Sequence, residues 1–197
     1  MKNIMITLIL SLFILPASAD EQINGGFIRR MNFSLAMTSL SLSEQTDSAG
    51  SYSGTAINLA VEFPFVQSIK REYFMKSSVP VVSAAGEGLY SAIVGMNNYR
   101  DKLSAPFRLE DGASELKIRP KMQYYWGPHF GAGAAVYKIG TAKKSDFAFI
   151  IGAQAGAIKP LTAPWGLKLE GGLSKGFGIN SGFLTYFVGG GATYDLD

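Results

Sequence analysis

Met122-Gln-Tyr-Tyr-Trp-Gly-Pro-His-Phe-Gly-Ala-Gly-Ala-Ala-Val-Tyr137 is the stretch whose reading decides the fold. Taken every second residue, Met122, Tyr124, Trp126, Pro128, Phe130, Ala132, Ala134 and Val136 form one set, apolar throughout. Gln123, Tyr125, Gly127, His129, Gly131, Gly133, Ala135 and Tyr137 form the other, small or polar apart from two tyrosines. A period of two is the periodicity of a strand, whose side chains alternate between two faces. Strands of soluble domains usually stop at about 5–6 residues. A longer one, apolar on one face and glycine-rich on the other, fits a wall that crosses a bilayer and closes into a barrel.

The alternation recurs along the chain. Gly26–Leu42 sets Phe27, Met31, Phe33, Leu35 and Met37 against Arg30, Asn32, Ser34, Ala36 and Thr38. Further strands are read over Gly54–Phe65, Arg71–Ser83, Leu89–Tyr99, Pro120–Lys138, Asp146–Ile158, Trp165–Gly176 and Phe183–Leu196. Polar or glycine-bearing turns separate them, including a short basic loop over Gly140–Ser145 with Lys143 and Lys144. That makes an all-β fold, an eight-stranded antiparallel up-and-down transmembrane β-barrel with both ends on one side. Pro80 and Pro128 fall inside strands, where proline cannot donate to the ladder, so each marks a bulge or a break. Residues 100–119 are polar and weakly patterned: a long loop on the periplasmic side, or a missed strand near Phe107–Leu116.

Charge assigns the faces. Arg30, Glu62, Glu72, Lys76, Lys121, Lys168 and Glu170 all carry the parity of the small-and-polar face. A base facing lipid near the midplane costs roughly 2–4 kcal/mol. Pointed inward, the four bases and three acids can pair as a lumen charge network. The inward glycines and alanines suit eight strands, whose interior is just wide enough for side chains to fill. A soluble ligand-binding barrel is the alternative. It would need Phe, Trp, Leu and Met from every strand inside a lumen with little room for them. Aromatics near strand ends, among them Tyr73, Tyr124, Trp126, Phe147, Trp165 and Tyr194, fit an interfacial girdle.

Composition agrees. Apolar residues make up 47% and charged residues 17%, yet no apolar run after the first twenty residues is long enough for a spanning helix. Residues 1–19 read as a signal peptide: Lys2, an apolar stretch from Ile4 to Leu15, and the cleavage site Ala17-Ser18-Ala19. Residues 20–197 then form a single barrel domain. The absence of cysteine excludes disulfides, thiolate metal sites and a cysteine nucleophile. A net charge of +3 gives no argument for nucleic acid, and no metal or cofactor site is read.

The chain resembles the small outer-membrane β-barrels of the OmpA/OmpX/OmpW type. The resemblance rests on the signal peptide, on Tyr125-x-Gly127-x-x-x-Gly131-x-Gly133, and on the closing strand from Gly189 to Leu196. In that strand Gly191, Tyr194 and Leu196 are similar to the terminal assembly signal of such proteins, although the chain ends in Asp197 rather than an aromatic residue. The resemblance implies outer-membrane location, contact with outer-membrane lipid, and recognition by the barrel assembly machinery. It says little of function.

Three functional readings follow. The first is a non-enzymatic barrel with a largely plugged lumen, serving envelope integrity or surface interaction. The second is a narrow channel for small apolar solutes or ions, in which Lys168 and Glu170 would line a path. The third is a lipid-modifying barrel enzyme. His129, the single histidine, has no neighbouring serine in sequence and is read as a lumen residue bonded to an adjacent strand. Lys143 and Lys144 are candidates to touch lipopolysaccharide phosphates, with a solvated loop as the plainer reading. The triplet Gly189-Gly190-Gly191 lies in a strand and is no phosphate loop.

Overall fold

The structure, a computed structural model, describes residues 28, 30–44, 51–67, 71–83, 87–100, 107–111, 114–118, 122–162, 164–179 and 181–196. The expected signal peptide lies outside these residues. The described residues form ten strands: β1 (Arg30–Glu44), β2 (Ser51–Gln67), β3 (Arg71–Ser83), β4 (Gly88–Tyr99), β5 (Phe107–Asp111), β6 (Ser114–Ile118), β7 (Gln123–Ile139), β8 (Ala142–Pro160), β9 (Trp165–Gly178) and β10 (Ser181–Asp195). Eight close into an antiparallel barrel in the order β1-β10-β9-β8-β7-β4-β3-β2. Closure is made by β1 and β10, paired from Arg30 with Asp195 to Glu44 with Ser181. Closing the sheet on itself pairs the first strand with the last, as a span through hydrocarbon requires.

The remaining two strands, β5 and β6, pair only with each other, Phe107 with Ile118 through Asp111 with Ser114. They lie within residues 100–119, so the expected long loop contains a hairpin rather than a ninth wall strand. The expected basic loop Gly140–Ser145 is also corrected. Strand β8 starts at Ala142, Lys143 and Lys144 belong to it, and the turn is only Gly140 and Thr141. Gly140 has φ 62°, a left-handed conformation that glycine adopts without strain.

Pro128 does not split β7. Its ladder with β8 runs unbroken through Gly127–Gln154 and Pro128–Ala153. On the β4 side the ladder pauses between Gly95–His129 and Asn98–Trp126 and resumes in the same register. At that pause the strands approach closely: a methyl group on Gly127 would lie 1.6 Å from the Met96 carbonyl oxygen. Only glycine fits there.

The exterior is a belt of exposed apolar side chains, including Leu35 (55% exposed), Leu169 (65%) and Val188 (59%). Exposure on this scale, around the whole circumference, matches a surface solvated by lipid. The chain is therefore a transmembrane barrel of the outer-membrane type. Inside, several rings lie over a glycine on the adjacent strand: Phe74 over Gly95, Tyr125 over Gly156, Phe183 over Gly176 and Phe187 over Gly172. A methyl on Gly176, for example, would sit 2.1 Å from the Phe183 ring. Large rings and missing side chains thus interlock in a narrow lumen.

Polarity inverts at the end of the barrel away from the chain termini. Along β1 and β2 the outward pair Met37–Ile57 is followed by the outward pairs Ser39–Thr55 and Ser41–Ser53, while Leu40 and Leu42 turn inward. Along β7 and β8 the outward Ala134–Phe147 pair gives way to Val136–Ser145 and Lys138–Lys143. Beyond this line the wall has a watery outside and an apolar inside. Leu40, Leu42, Leu89, Tyr137, Ile150 and Phe183 form a buried cluster there that plugs the distal end.

Candidate functional site in the barrel lumen

The inward parity of each strand brings the charged residues together near the centre and the termini end. Arg30 on β1 ion-pairs with Glu72 on β3 at 2.6 Å, and donates to the Tyr99 hydroxyl at 3.1 Å. Tyr99 in turn donates to Glu72. Next along the axis, Lys168 on β9 bridges Glu62 at 2.7 Å and Glu170 at 3.0 Å. Lys76 reaches the other oxygen of Glu170 at 2.6 Å and lies 4.8 Å from the centre of the Phe187 ring. Asn32 donates to Glu62 at 2.7 Å, and Ser34 to Glu170 at 3.1 Å.

Six of the seven residues read as a lumen charge network, Arg30, Glu62, Glu72, Lys76, Lys168 and Glu170, are buried and share these contacts. Lys121 lies outside the described residues. The six comprise three bases and three acids, so the group is neutral. Neutrality, with an opposite charge within 3.0 Å of each group, is what a desolvated ionic cluster needs to persist, although Arg30 Nε and Glu62 Oε2 lack hydrogen-bond partners among the described residues. Of the three residues read as similar to a terminal assembly signal, Gly191 and Tyr194 sit in β10, and Leu196 follows the strand, 46% exposed. Tyr194 packs edge-on against Trp165 with ring centres 4.8 Å apart.

One arrangement was invisible in the sequence. His129 on β7 and Ser174 on β9 are both buried, and their Nε2 and Oγ atoms are 2.8 Å apart. The two strands are separated by β8, and Gly152 of β8 leaves the gap through which they meet. A methyl on Gly152 would lie 2.5 Å from His129 Nε2 and 2.6 Å from Ser174 Oγ. The sequence places no serine beside His129; the barrel does. The two residues face a lumen cavity of about 50 Å³, whose wall also includes Asn58, Lys76, Ser78 and Ser91. His129 Nδ1 has no hydrogen-bond partner among the described residues, so no carboxylate orients the ring as a catalytic triad would.

Along its axis the lumen holds two different materials, ionic pairs at the centre and apolar side chains at the distal end. Two small cavities flank them among the described residues, one of about 10 Å³ near Arg30 and Gln123 and one of about 10 Å³ near Tyr52 and Glu87. Each is about the room one water needs. Tyr52 donates to Glu87 at 2.6 Å, and Asp146 accepts from the Ser181 hydroxyl at 2.6 Å, tying the distal rim.

No family model matches the chain, and no curated protein matches it. Solved structures do. Neisserial surface protein A aligns with a TM-score of 0.50 at 9% identity, covering 84% of this chain and 97% of that one. Ail, the attachment invasion locus protein of Yersinia pestis, in complex with the heparin analogue sucrose octasulfate, aligns at 0.45 and 11%, covering 84% and 99%. The N-terminal β-barrel domain of Pseudomonas aeruginosa OprF aligns at 0.42 and 9%, covering 82% and 97%. At such identities the likeness extends to the fold alone: this chain is built as the small eight-stranded outer-membrane barrels are.

Proposed function

We propose that the chain is a non-enzymatic outer-membrane protein whose sealed barrel serves envelope integrity or presents its distal rim for surface interaction. The observation that carries this reading is the double closure of the lumen. Three buried bases meet three buried acids, and an apolar cluster lies above them. A barrel filled in this way spends its interior on rigidity rather than passage. Its partners in this reading are outer-membrane lipid, the barrel assembly machinery that would take the Gly191–Leu196 signal, and lipopolysaccharide. Lys138 and Lys143, opposite each other and outward at the distal hairpin, with Lys144 beside them, suit the phosphates of that lipid.

Planar-bilayer recording on the refolded mature chain tests the proposal. The expected result is a bilayer as quiet as one without protein; steady single-channel steps would replace the sealed barrel with the narrow channel.

The contact between His129 and Ser174 sustains the enzyme as a second reading. Its weakness is placement, because both side chains face the lumen, away from the acyl chains that such an enzyme cleaves or transfers. Overexpression should leave the lipid A acylation pattern unchanged. A one-chain mass shift seen with the wild-type protein and lost in His129→Ala would establish the enzyme.

A further inference from the structure

The wall between β3 and β4 is incomplete. Their ladder runs from Arg71–Asn98 to Ser78–Ser91 and stops, although β3 continues to Ser83 and β4 begins at Gly88. Beyond that point, among the described residues, β3 pairs only with β2, and β4 only with β7. In the same register Val79 would face Tyr90 and, one place further, Pro80 would face Leu89, where proline has no N–H to give. The Leu89 carbonyl oxygen instead accepts from the side chain of Asn58, Nδ2 to O at 3.1 Å. The same Nδ2 lies 3.0 Å from Ser78 Oγ. Asn58 is the β2 register partner of Pro80, so one side-chain amide stands in for the missing ladder bond.

Burial changes at the seam. Along β4, Leu89 and Ile93 are buried while Ser91 between them is only half-buried. Along β3, Lys76 is buried, whereas Ser78 and Pro80 are half-buried although they share its inward parity. The extra exposure thus falls at Ser78, Pro80 and Ser91, where the β3–β4 ladder stops, and not at Leu89. The outward residues there, Val79, Val81 and Tyr90, are exposed and lipid-facing.

Behind the seam lies the cavity of about 50 Å³. A water needs roughly 10–15 Å³ measured in this way, so there is room for a solute of about three to four heavy atoms. Leu89, Ile93 and Ile150 supply apolar wall, and two buried polar atoms of lining residues, Asn58 Oδ1 and His129 Nδ1, lack hydrogen-bond partners among the described residues. The nearest charge, Lys76, is already paired with Glu170. A charged guest would upset the balance of the network, whereas a neutral one with a hydrogen-bonding head and a short apolar body satisfies both walls.

We propose that this cavity is a binding site for a small neutral, hydrogen-bonding solute, admitted sideways from the membrane through the β3–β4 seam, with Asn58 as its latch. The proposal goes beyond the sealed-barrel reading, since a barrel closed along its axis can still be entered from the side.

The chain has no cysteine, so single-cysteine reporters are clean. Ser91→Cys at the seam, Ser174→Cys at the cavity floor and Leu40→Cys in the distal plug are refolded into lipid vesicles, with folding checked by unheated gel mobility. Each is treated with acrylonitrile, a neutral hydrogen-bond acceptor sized to the cavity and soluble in lipid, and alkylation is followed by mass spectrometry. The expected order of rates is Ser91→Cys, then Ser174→Cys, then Leu40→Cys. Asn58→Ala should raise the Ser174→Cys rate about tenfold, the population shift expected from losing one or two hydrogen bonds. Asn58→Ser serves as the latch variant if the alanine form does not fold. Four results would overturn the proposal: Ser174→Cys inert until heat-unfolded, Leu40→Cys reacting first, an anionic thiosulfonate matching acrylonitrile, or latch variants leaving the rate unchanged.

Discussion

Removing Glu170 tests whether the lumen is held by its ionic cluster. The carboxylate is buried, with Lys76 at 2.6 Å on one oxygen and Lys168 at 3.0 Å on the other, and it also accepts from Ser34. In Glu170→Ala, Lys168 keeps Glu62 at 2.7 Å, but Lys76 loses the one carboxylate it contacts among the described residues. The six-residue network is left singly positive, with a buried ammonium uncompensated. Breaking a buried pair in this way costs roughly 3–5 kcal/mol. With a urea dependence of about 2–3 kcal/mol per molar, the unfolding midpoint in lipid or detergent should fall by about 1–2 M. The assay is the loss of fast gel migration, or of tryptophan fluorescence from Trp126 and Trp165, against urea. The double variant Lys76→Met/Glu170→Ala removes the orphaned charge with the acid and should recover most of the loss. An unchanged midpoint in Glu170→Ala, or a double variant whose loss is the sum of the two singles, would refute the reasoning.

Two further outcomes bear on the wall. Leu35→Arg places a charge in the lipid belt and should cost roughly 2–4 kcal/mol, whereas Ser41→Arg, on the same face past the polarity inversion, should cost about 0–1; equal costs in a refolding titration would misplace the membrane boundary. Gly127→Ala should prevent folding or abolish heat-resistant migration, because its methyl would press 1.6 Å from the Met96 carbonyl; normal migration would mean that β4 and β7 are further apart than described.

Much of the barrel was readable from local pattern. The alternation of Met122–Tyr137 assigns Tyr124 and Trp126 to lipid and Tyr125 and His129 to the lumen, and burial follows the same parity. The strand bounds erred where a local signal competed. Lys143 and Lys144 look like a loop because paired lysines are usually solvated, yet they stand in water as part of a strand that outruns the membrane. Leu40 and Leu42 carry the lumen parity, but their apolarity has no meaning until the height of the membrane along β1 is known. Residues 107–111 and 114–118 lack barrel-length alternation and pair with each other as two short strands.

By itself, the sequence determined which residues share a face, since a strand's two-residue period is a property of consecutive backbone units and needs no partner. It thereby placed Arg30, Glu62, Glu72, Lys76, Lys168 and Glu170 on one side of the wall. It could not say that Lys168 meets both Glu62 and Glu170, that Ser34 donates to Glu170 across 136 positions, or that Ser174 lies against His129. Nor could it show that Asn58 replaces the ladder bond Pro80 cannot make. Those contacts join strands distant in the chain, and they depend on register and closure. A shift of one residue in register turns every side chain to the other face, so only the assembled barrel decides them.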